Sequence, residues 1–255
     1  MKYDYDVVVI GLGPAGMAVT AMASSMGLSV FAVEKDRVGG ECMNVGCIPS
    51  KALLRMAKTR HLRHGADADA VPNVELGSPF ERIARHLAYI AERKTMGPLL
   101  KAEIAIGQGA AELCSPHEIA VGDRVVSAKR IFICTGTSPA VPDIANLRAV
   151  QPLTNENLFQ LEAVPSSLMI LGAGAIACEM AQAFARLGTE VSMVFRGPRL
   201  LRREDPDVAA LVEERLTKDG VKLYRNADMQ RFDRDPDYVS LRLGDGTVLK
   251  AEHVL

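Results

Sequence analysis

Residues 6–16 read DVVVIGLGPAG, and residues 17–34 continue as MAVTAMASSMGLSVFAVE. The first five residues form a β-branched run without alternation, which is typical of a strand buried on both faces of a parallel sheet. The run GLGPAG follows directly, then a helical pattern through Met26, a second strand over residues 28–33 and an acid, Glu34. A strand, G-x-G-x-x-G, a helix, a strand and an acid in this order predict a dinucleotide-binding α/β unit.

The three glycines of this motif have separate physical roles. Gly11 makes the turn, Gly13 lets the backbone approach a pyrophosphate, and Gly16 lets the helix pack against the strand. Glu34 is placed to hydrogen-bond a ribose hydroxyl. A glycine turn without a ligand is the alternative, but the complete context favours a nucleotide site.

The same arrangement returns later in the chain. Residues 167–171 (SLMIL) predict a strand, residues 172–177 (GAGAIA) a glycine turn and the start of a helix, and residues 190–195 the next strand. A repeated strand–glycine–helix–strand unit predicts two dinucleotide sites, and residues 139–152, rich in proline, are a candidate linker between them.

The second unit lacks the acid that ends the first. Its second strand is followed by Arg196, and Arg199, Arg202 and Arg203 lie close behind. Because an arginine accommodates the 2′-phosphate of NADP whereas an acid selects NAD, we expect NADPH in this unit and FAD at Glu34. A solvated basic loop is the alternative.

A pair of cysteines lies in residues 39–51, which read GGECMNVGCIPSK. Because an α-helix turns about 100° per residue, a bond between Cys42 and Cys47 needs Cys42 in an irregular loop and Cys47 in the first turn of a helix. Gly40 and Gly46 permit the loop. A helix N-terminus lowers the pKa of a thiol. The pattern favours a redox-active disulfide; two buried thiols or half of a zinc site are the alternatives, and no further ligands follow at metal spacing.

Between the two units the pattern predicts helices over residues 48–64 and 79–96, with a polar loop over residues 65–78. Five short strands are expected at residues 104–106, 110–113, 118–121, 125–126 and 130–134.

Composition excludes several classes of protein. The chain has 255 residues, 48% of them hydrophobic, and a net charge of −1, which suits one large or two smaller globular domains without nucleic-acid or membrane-surface partners. The polar start predicts no signal peptide, and no apolar run reaches membrane-spanning length. Five cysteines suggest a reducing, cytoplasmic location rather than a disulfide scaffold. Of these, Cys114, Cys134 and Cys178 lie in or beside apolar runs and are expected in the core.

These motifs resemble the class I pyridine nucleotide–disulfide oxidoreductases, the family of lipoamide dehydrogenase, glutathione reductase and mercuric reductase. The family's active-site signature matches residues 39–51, and the likeness covers essentially the whole chain. It implies an α/β fold of two Rossmann-like dinucleotide-binding domains, an FAD-binding domain over residues 1–150 and an NAD(P)H-binding domain over residues 151–255. The cofactors implied are FAD and NADPH, with NADH as the alternative nucleotide.

The resemblance also implies roles for single residues. Cys42 would be the thiol that meets substrate, Cys47 the thiol against the flavin, and Lys51 and Glu179 an ion pair near flavin N5. Ala111 would contact the adenine through its backbone. No metal site is expected. The expected cofactor-binding residues are Gly11, Gly13, Pro14, Ala15, Gly16, Glu34, Lys35, Gly40, Cys42, Lys51, Ala111, Thr135, Gly136, Gly172, Gly174, Ile176, Glu179, Arg196 and Arg202.

Within the family, residues 135–142, 181–188 and 203–206 look most like mercuric reductases. The expected activity passes a hydride from NADPH through the flavin to a disulfide of Cys42 and Cys47 and on to substrate. A lipoamide dehydrogenase or glutathione reductase type is the alternative, and a nucleotide-binding module without turnover is the alternative from another class. Glu41 departs from the family, which often has threonine there.

The chain is shorter than members of this family and ends at residues 253–255 within an apolar run. We therefore interpret it as an N-terminal piece that lacks the rest of the FAD domain and the dimerisation domain. The full-length protein is expected to be a homodimer. The missing part would carry the substrate groups, so mercuric ion, lipoamide, glutathione and other disulfides all stay open.

Overall fold

The structure is a computed structural model that describes residues 2–65, 78–95, 97–99 and 101–255. The chain forms two compact units. Unit 1 comprises Met1–Pro49 and Ala84–Ser138, and unit 2 comprises Ser50–Ile83 and Pro139–Leu255. Each unit contains one of the two glycine motifs, while the assignment of a cofactor domain to residues 1–150 and another to 151–255 stays a prediction.

Unit 1 is built on a six-stranded sheet. Its strands in chain order are β1 (Tyr5–Ile10), β2 (Val30–Glu34), β3 (Glu103–Ile106), β4 (Glu112–Ser115), β5 (Glu118–Val121) and β6 (Arg124–Ile133). Their order across the sheet is β3-β2-β1-β6-β5-β4. Strand β1 is parallel to both β2 and β6, and Val8 and Val9 are completely buried. The expected buried parallel strand is confirmed.

Strand β6 differs from the prediction of two strands at residues 125–126 and 130–134. It is one ten-residue strand that pairs antiparallel with β5 at its start and parallel with β1 at its end. Residues 127–129 contain neither glycine nor proline, so no residue interrupts the strand where it changes neighbours.

The helices of the first half are α1 (Pro14–Ser25), α2 (Gly40–Asn44), α3 (Cys47–Gly65) and α4 (Pro79–Ile90). The helix expected over residues 79–96 ends early as an α-helix, and a π-helical turn follows at Ala91–Thr95. A short 3₁₀ turn covers Gly97–Leu99. The loop expected over residues 65–78 lies outside the described residues except at its two ends.

Unit 2 combines two sheets with helices. Its parallel sheet has the order β13-β7-β8-β9, and its antiparallel sheet has the order β10-β11-β12. The strands are β7 (Ser167–Leu171), β8 (Glu190–Val194), β9 (Lys222–Tyr224), β10 (Met229–Arg234), β11 (Val239–Leu243), β12 (Val248–Ala251) and β13 (His253–Val254). Besides most of α3, this unit has the helices α5 (Asn155–Leu158), α6 (Ala175–Arg186) and α7 (Pro206–Lys218) and a 3₁₀ turn at Arg148–Val150.

One hydrophobic cluster joins the two sheets of unit 2. Met169 and Val194 from the parallel sheet pack in it with Phe232 and Leu241 from the antiparallel sheet. The proline-rich stretch expected as a linker contributes buried residues to the same cluster, namely Ile144, Leu147 and Val150. That stretch is therefore anchored to the core of unit 2 through these three side chains.

The cysteines outside residues 39–51 only partly match the expectation that they lie in the core. Cys178 is buried, Cys134 is half-buried, and Cys114 is exposed. Cys114 lies on β4, the edge strand of the sheet, most of which is exposed. Its apolar sequence neighbourhood was misleading because an edge strand is covered on fewer sides.

None of the helices in the described ranges is long and apolar enough to cross a membrane.

Candidate functional site

The first glycine turn is packed so tightly that two of its positions exclude a side chain. Gly11 has φ +94°, and a Cβ there would lie 2.4 Å from the carbonyl oxygen of Cys134 at the end of β6. A Cβ on Gly16 would lie 1.8 Å from the carbonyl oxygen of Gly11. The glycines therefore allow β1, β6 and α1 to meet at this turn.

The start of α1 leaves its backbone N–H groups available to an anion. The helix begins at Pro14 after Gly13, no side chain caps it, and Pro14 and Ala15 are exposed. The first turn of a helix has no intrahelical partners for its N–H groups, and the helix dipole favours negative charge there. These residues fit the pyrophosphate of a dinucleotide.

Glu34 is held in a defined position by two backbone groups. The N–H of Leu12 donates to Oε2 at 2.8 Å, and the N–H of Asp36 donates to Oε1 at 2.9 Å. The residue is only 8% exposed. Each carboxylate oxygen carries a second lone pair, so Glu34 can accept a ribose hydroxyl while it stays fixed to the glycine turn. The chemistry of this site fits the adenosine of FAD.

The cysteine stretch differs locally from the expectation that Cys42 lies in an irregular loop. Cys42 lies in the short helix α2, and α3 begins at Cys47. Gly39 and Gly40 enter α2 with positive φ angles of 98° and 55°. The chain folds back between the helices at Gly46, where a Cβ would lie 3.0 Å from the carbonyl oxygen of Glu41 and 3.2 Å from the Cα of Cys42. The missing side chain lets the two cysteines approach.

The side chains of Cys42 and Cys47 hydrogen-bond to each other. This hydrogen bond raises the pKa of Cys42, and burial and the nearby charge of Glu41 raise it further. Cys47 is more exposed than Cys42. A pair of thiols in hydrogen-bonding contact is placed to form and break a disulfide.

The remaining predicted residues of unit 1 lie at the ends of strands. Lys35 is exposed directly after β2, and Thr135 and Gly136 are exposed after β6, with Gly136 at φ +69°. Ala111 precedes β4 and packs against the core of the sheet. Thr137 donates a long hydrogen bond of 3.5 Å to Glu41, the residue that departs from the family pattern.

The second glycine turn has free space beside its glycines, whereas the glycines of the first turn are packed against other backbone atoms. Gly172 has φ +129°, and a Cβ on Gly172 or Gly174 would meet nothing within 4 Å. Helix α6 follows without a side-chain cap, and Ile176 in its first turn is exposed. The open backbone at a helix start fits a second pyrophosphate.

The loop after β8 brings the predicted cations to this turn. The N–H of Leu201 donates to the carbonyl of Ala173 at 2.8 Å, which ties the loop to the glycine turn. Arg196 and Arg202 are both exposed. Within the described part of the chain, neither guanidinium forms an ion pair, so both are available to a phosphate. Sequence patterns could not reveal the hydrogen bond between Leu201 and Ala173, because a backbone hydrogen bond between distant residues has no local sequence signature.

Lys51 and Glu179 form the ion pair expected from the resemblance. Lys51 lies in the second turn of α3 and Glu179 in α6, and both residues belong to unit 2. The Nζ atom donates to both carboxylate oxygens at 2.7 Å. The pair is present; its contact with a flavin stays a prediction.

Comparison with known proteins identifies the family. The sequence profile of the pyridine nucleotide-disulphide oxidoreductases matches residues 5–255. The chain belongs to this family. Members of the family are FAD-dependent and use NAD(P)H, which confirms FAD and a nicotinamide nucleotide as the expected cofactors, whereas the choice of NADPH over NADH stays a prediction.

Several relatives with known functions match nearly the whole chain. A mercuric reductase of Bacillus cereus is 31% identical over 267 residues, covering 100% of this chain and 41% of the relative. A dihydrolipoyl dehydrogenase of Bacillus subtilis is 30% identical, covering 97% of this chain and 56% of the relative. The chain thus spans about half the length of the curated relatives it matches.

A solved structure confirms the α/β fold. The HOCl-induced flavoprotein disulfide reductase RclA from Escherichia coli superposes with a TM-score of 0.85 at 27% identity, covering 98% of this chain and 55% of that protein.

Among the described residues, no group of three or more histidine, cysteine or acidic side chains is arranged to hold a metal ion.

Proposed function

We propose that this chain carries the nucleotide-binding and redox-active parts of an NADPH-dependent flavoenzyme. When bound, FAD would take a hydride from NADPH and supply the electron pair that opens a disulfide. The observation that carries the proposal is the contact between the thiols of Cys42 and Cys47, close to the turn that fits FAD.

The chain's own residues have defined tasks in this scheme. A disulfide between Cys42 and Cys47 takes up two electrons and two protons and becomes two thiols. The raised pKa of Cys42 keeps its proton on that sulfur. Lys51, held by Glu179, would place a positive charge beside the flavin. Arg196 and Arg202 would hold the 2′-phosphate of NADPH.

The type of enzyme proposed is closest to mercuric reductase. The match with the Bacillus cereus enzyme supports this type, and the match with dihydrolipoyl dehydrogenase supports a lipoamide-reducing type as the second candidate.

Homologues are usually homodimers, which supports the same assembly for the full-length protein. We also propose a cytoplasmic location, since a small and odd number of cysteines, five in 255 residues, suits a reducing compartment rather than a disulfide scaffold.

The test is an anaerobic reduction of the oxidised, FAD-loaded protein by NADPH, with the thiols counted by a chromogenic disulfide reagent. We expect two new thiols per chain, none in Cys42→Ser or Cys47→Ser, and no change in the control Cys114→Ser. Binding of NADPH without any new thiols would support the isolated module instead. Mercuric ion and lipoamide, offered separately as acceptors, then distinguish the two types.

A further inference from the structure

The side chain of Arg199 is committed to the backbone of its own loop. Its Nη1 donates to the carbonyls of Leu201 at 3.3 Å and Glu204 at 3.1 Å, and its Nη2 donates to the carbonyl of Arg202 at 3.0 Å. A planar guanidinium can satisfy several carbonyls at once, which an ammonium group on a flexible stem does less well. The Arg199 side chain therefore restrains the backbone of residues 201–204 through three hydrogen bonds.

The loop that Arg199 restrains has an unusual backbone. Leu201 has φ +46°, a conformation that residues with a side chain rarely adopt. In that conformation its N–H reaches the carbonyl of Ala173 in the second glycine turn. A residue in a strained backbone conformation persists only where its surroundings hold it in place. Here Arg199 contributes to that restraint, because its side chain donates a hydrogen bond to the carbonyl of Leu201.

The same loop carries the cations proposed for the 2′-phosphate. The side chain of Arg202 lies next to Gly197, since a Cβ on Gly197 would be 3.5 Å from the Cδ atom of Arg202. Arg196 directly precedes Gly197 in the chain. The carbonyl of Arg202 is one of the three that Arg199 holds. The backbone position of Arg202 therefore depends directly on Arg199.

We propose that Arg199 is a positioning residue for nucleotide selectivity, acting through the backbone of residues 201–204 rather than by touching the phosphate. It fixes the loop so that Arg202 and Arg196 meet the 2′-phosphate together. This inference rests on the proposed function, in which those two arginines select NADPH. It predicts that the shape of the Arg199 side chain matters and that its charge alone does not suffice.

The experiment measures the binding of 2′,5′-ADP and of 5′-AMP to this chain by calorimetry, because the two probes differ only in the 2′-phosphate. We expect Arg199→Lys and Arg199→Ala to lower the preference for 2′,5′-ADP by a similar factor, about tenfold, with the affinity for 5′-AMP nearly unchanged. A wild-type preference in Arg199→Lys would overturn the inference, since it would mean that charge alone acts. Melting temperatures recorded alongside identify a variant that fails to fold.

A double-variant cycle keeps the inference testable if either single variant is destabilised. If Arg199 acts through Arg202, then Arg199→Lys has little further effect on the preference in an Arg202→Ala background. If instead the double variant loses preference for 2′,5′-ADP by the product of the two single-variant factors, the two residues act independently and the inference is overturned. Arg231→Ala, which removes a charge from the antiparallel sheet of the same unit, is the control. Failure of Arg196→Ala to lower the preference would instead overturn the proposed 2′-phosphate site, whatever Arg199 does.

Discussion

Gly40 lies directly against Gly13, so that a Cβ on Gly40 would stand 2.7 Å from the Cα of Gly13. The two residues belong to different motifs, one to the cysteine stretch and one to the first glycine turn. Because neither has a side chain, the two backbones touch. The cysteine pair, Cys42 and Cys47, is thereby placed beside the turn that fits a pyrophosphate.

Gly40→Ala should therefore disrupt both motifs at once. Its φ of +55° is unfavourable for alanine, and the new methyl group would overlap the backbone of Gly13. We expect a loss of about 2 kcal/mol of stability or more and a lower FAD content, measured by thermal unfolding and by flavin absorbance per chain. Gly97→Ala is the matched control, since a Cβ there meets nothing within 4 Å. Equal behaviour of the two variants would contradict the importance of this contact.

Lys51→Ala should separate stability from activity. The lysine side chain is 59% exposed, so loss of its ion pair should cost less than about 1 kcal/mol. We expect the rate at which NADPH generates thiols in the FAD-loaded protein to fall at least about tenfold, because Lys51 would lie beside the flavin. Lys218→Ala removes an ion pair with Glu214 in which the lysine is similarly exposed, at 65%, and should leave that rate unchanged. A Lys51 variant with the wild-type rate would exclude the proposed role.

Cys47→Ala should lower the pKa of Cys42. The hydrogen bond to Cys47 is the largest cause that raises this pKa above its ordinary value of 9.0, and the variant removes it. The pH profile of Cys42 alkylation by iodoacetamide in the reduced protein should therefore shift to lower pH. Glu41→Gln should shift it in the same direction by less, since the charge of Glu41 is a smaller cause. An unshifted profile in Cys47→Ala would mean that the two thiols do not interact.

Cys178 should resist alkylation where Cys114 reacts. Burial raises the pKa of Cys178 to about 11 and the charge of Glu179 contributes, whereas Cys114 is exposed. Mass spectrometry after iodoacetamide at pH 8 should find Cys114 modified and Cys178 intact. Rapid modification of Cys178 in the folded protein would refute its burial.

The raised pKa of Cys178 also has a consequence for stability at alkaline pH. The folded state holds the proton more tightly than the unfolded state, whose thiol titrates near 9.0. This contribution to stability is complete below pH 9 and is lost as the pH rises towards 11. Cys178→Ala should remove that part of the alkaline decline, as measured by unfolding at several pH values; an unchanged decline would assign it to other groups.

The sequence by itself determined the class of the fold and most of its strands and helices, and it predicted the chemistry of the site. A continuous β-branched run is typical of a strand that is buried on both faces of a parallel sheet, and the glycine spacing after it serves a tight turn at a helix start. The bounds of β7 and β5 follow the prediction residue for residue. The helix predicted over residues 48–64 is α3, which extends one residue further at each end, Cys47–Gly65.

Only the tertiary structure decided which of these residues meet. The contact of Gly13 with Gly40 and the hydrogen bond from Leu201 to Ala173 join distant groups that no periodic pattern relates. The pair of Lys51 with Glu179 was expected from the family resemblance, but no pattern in the residues themselves relates the two positions. The exposure of Cys114 and the burial of Ile144, Leu147 and Val150 were also decided there, because burial depends on which neighbours cover a segment. Local sequence encodes the preference of each segment, whereas contacts between segments depend on how the whole chain packs.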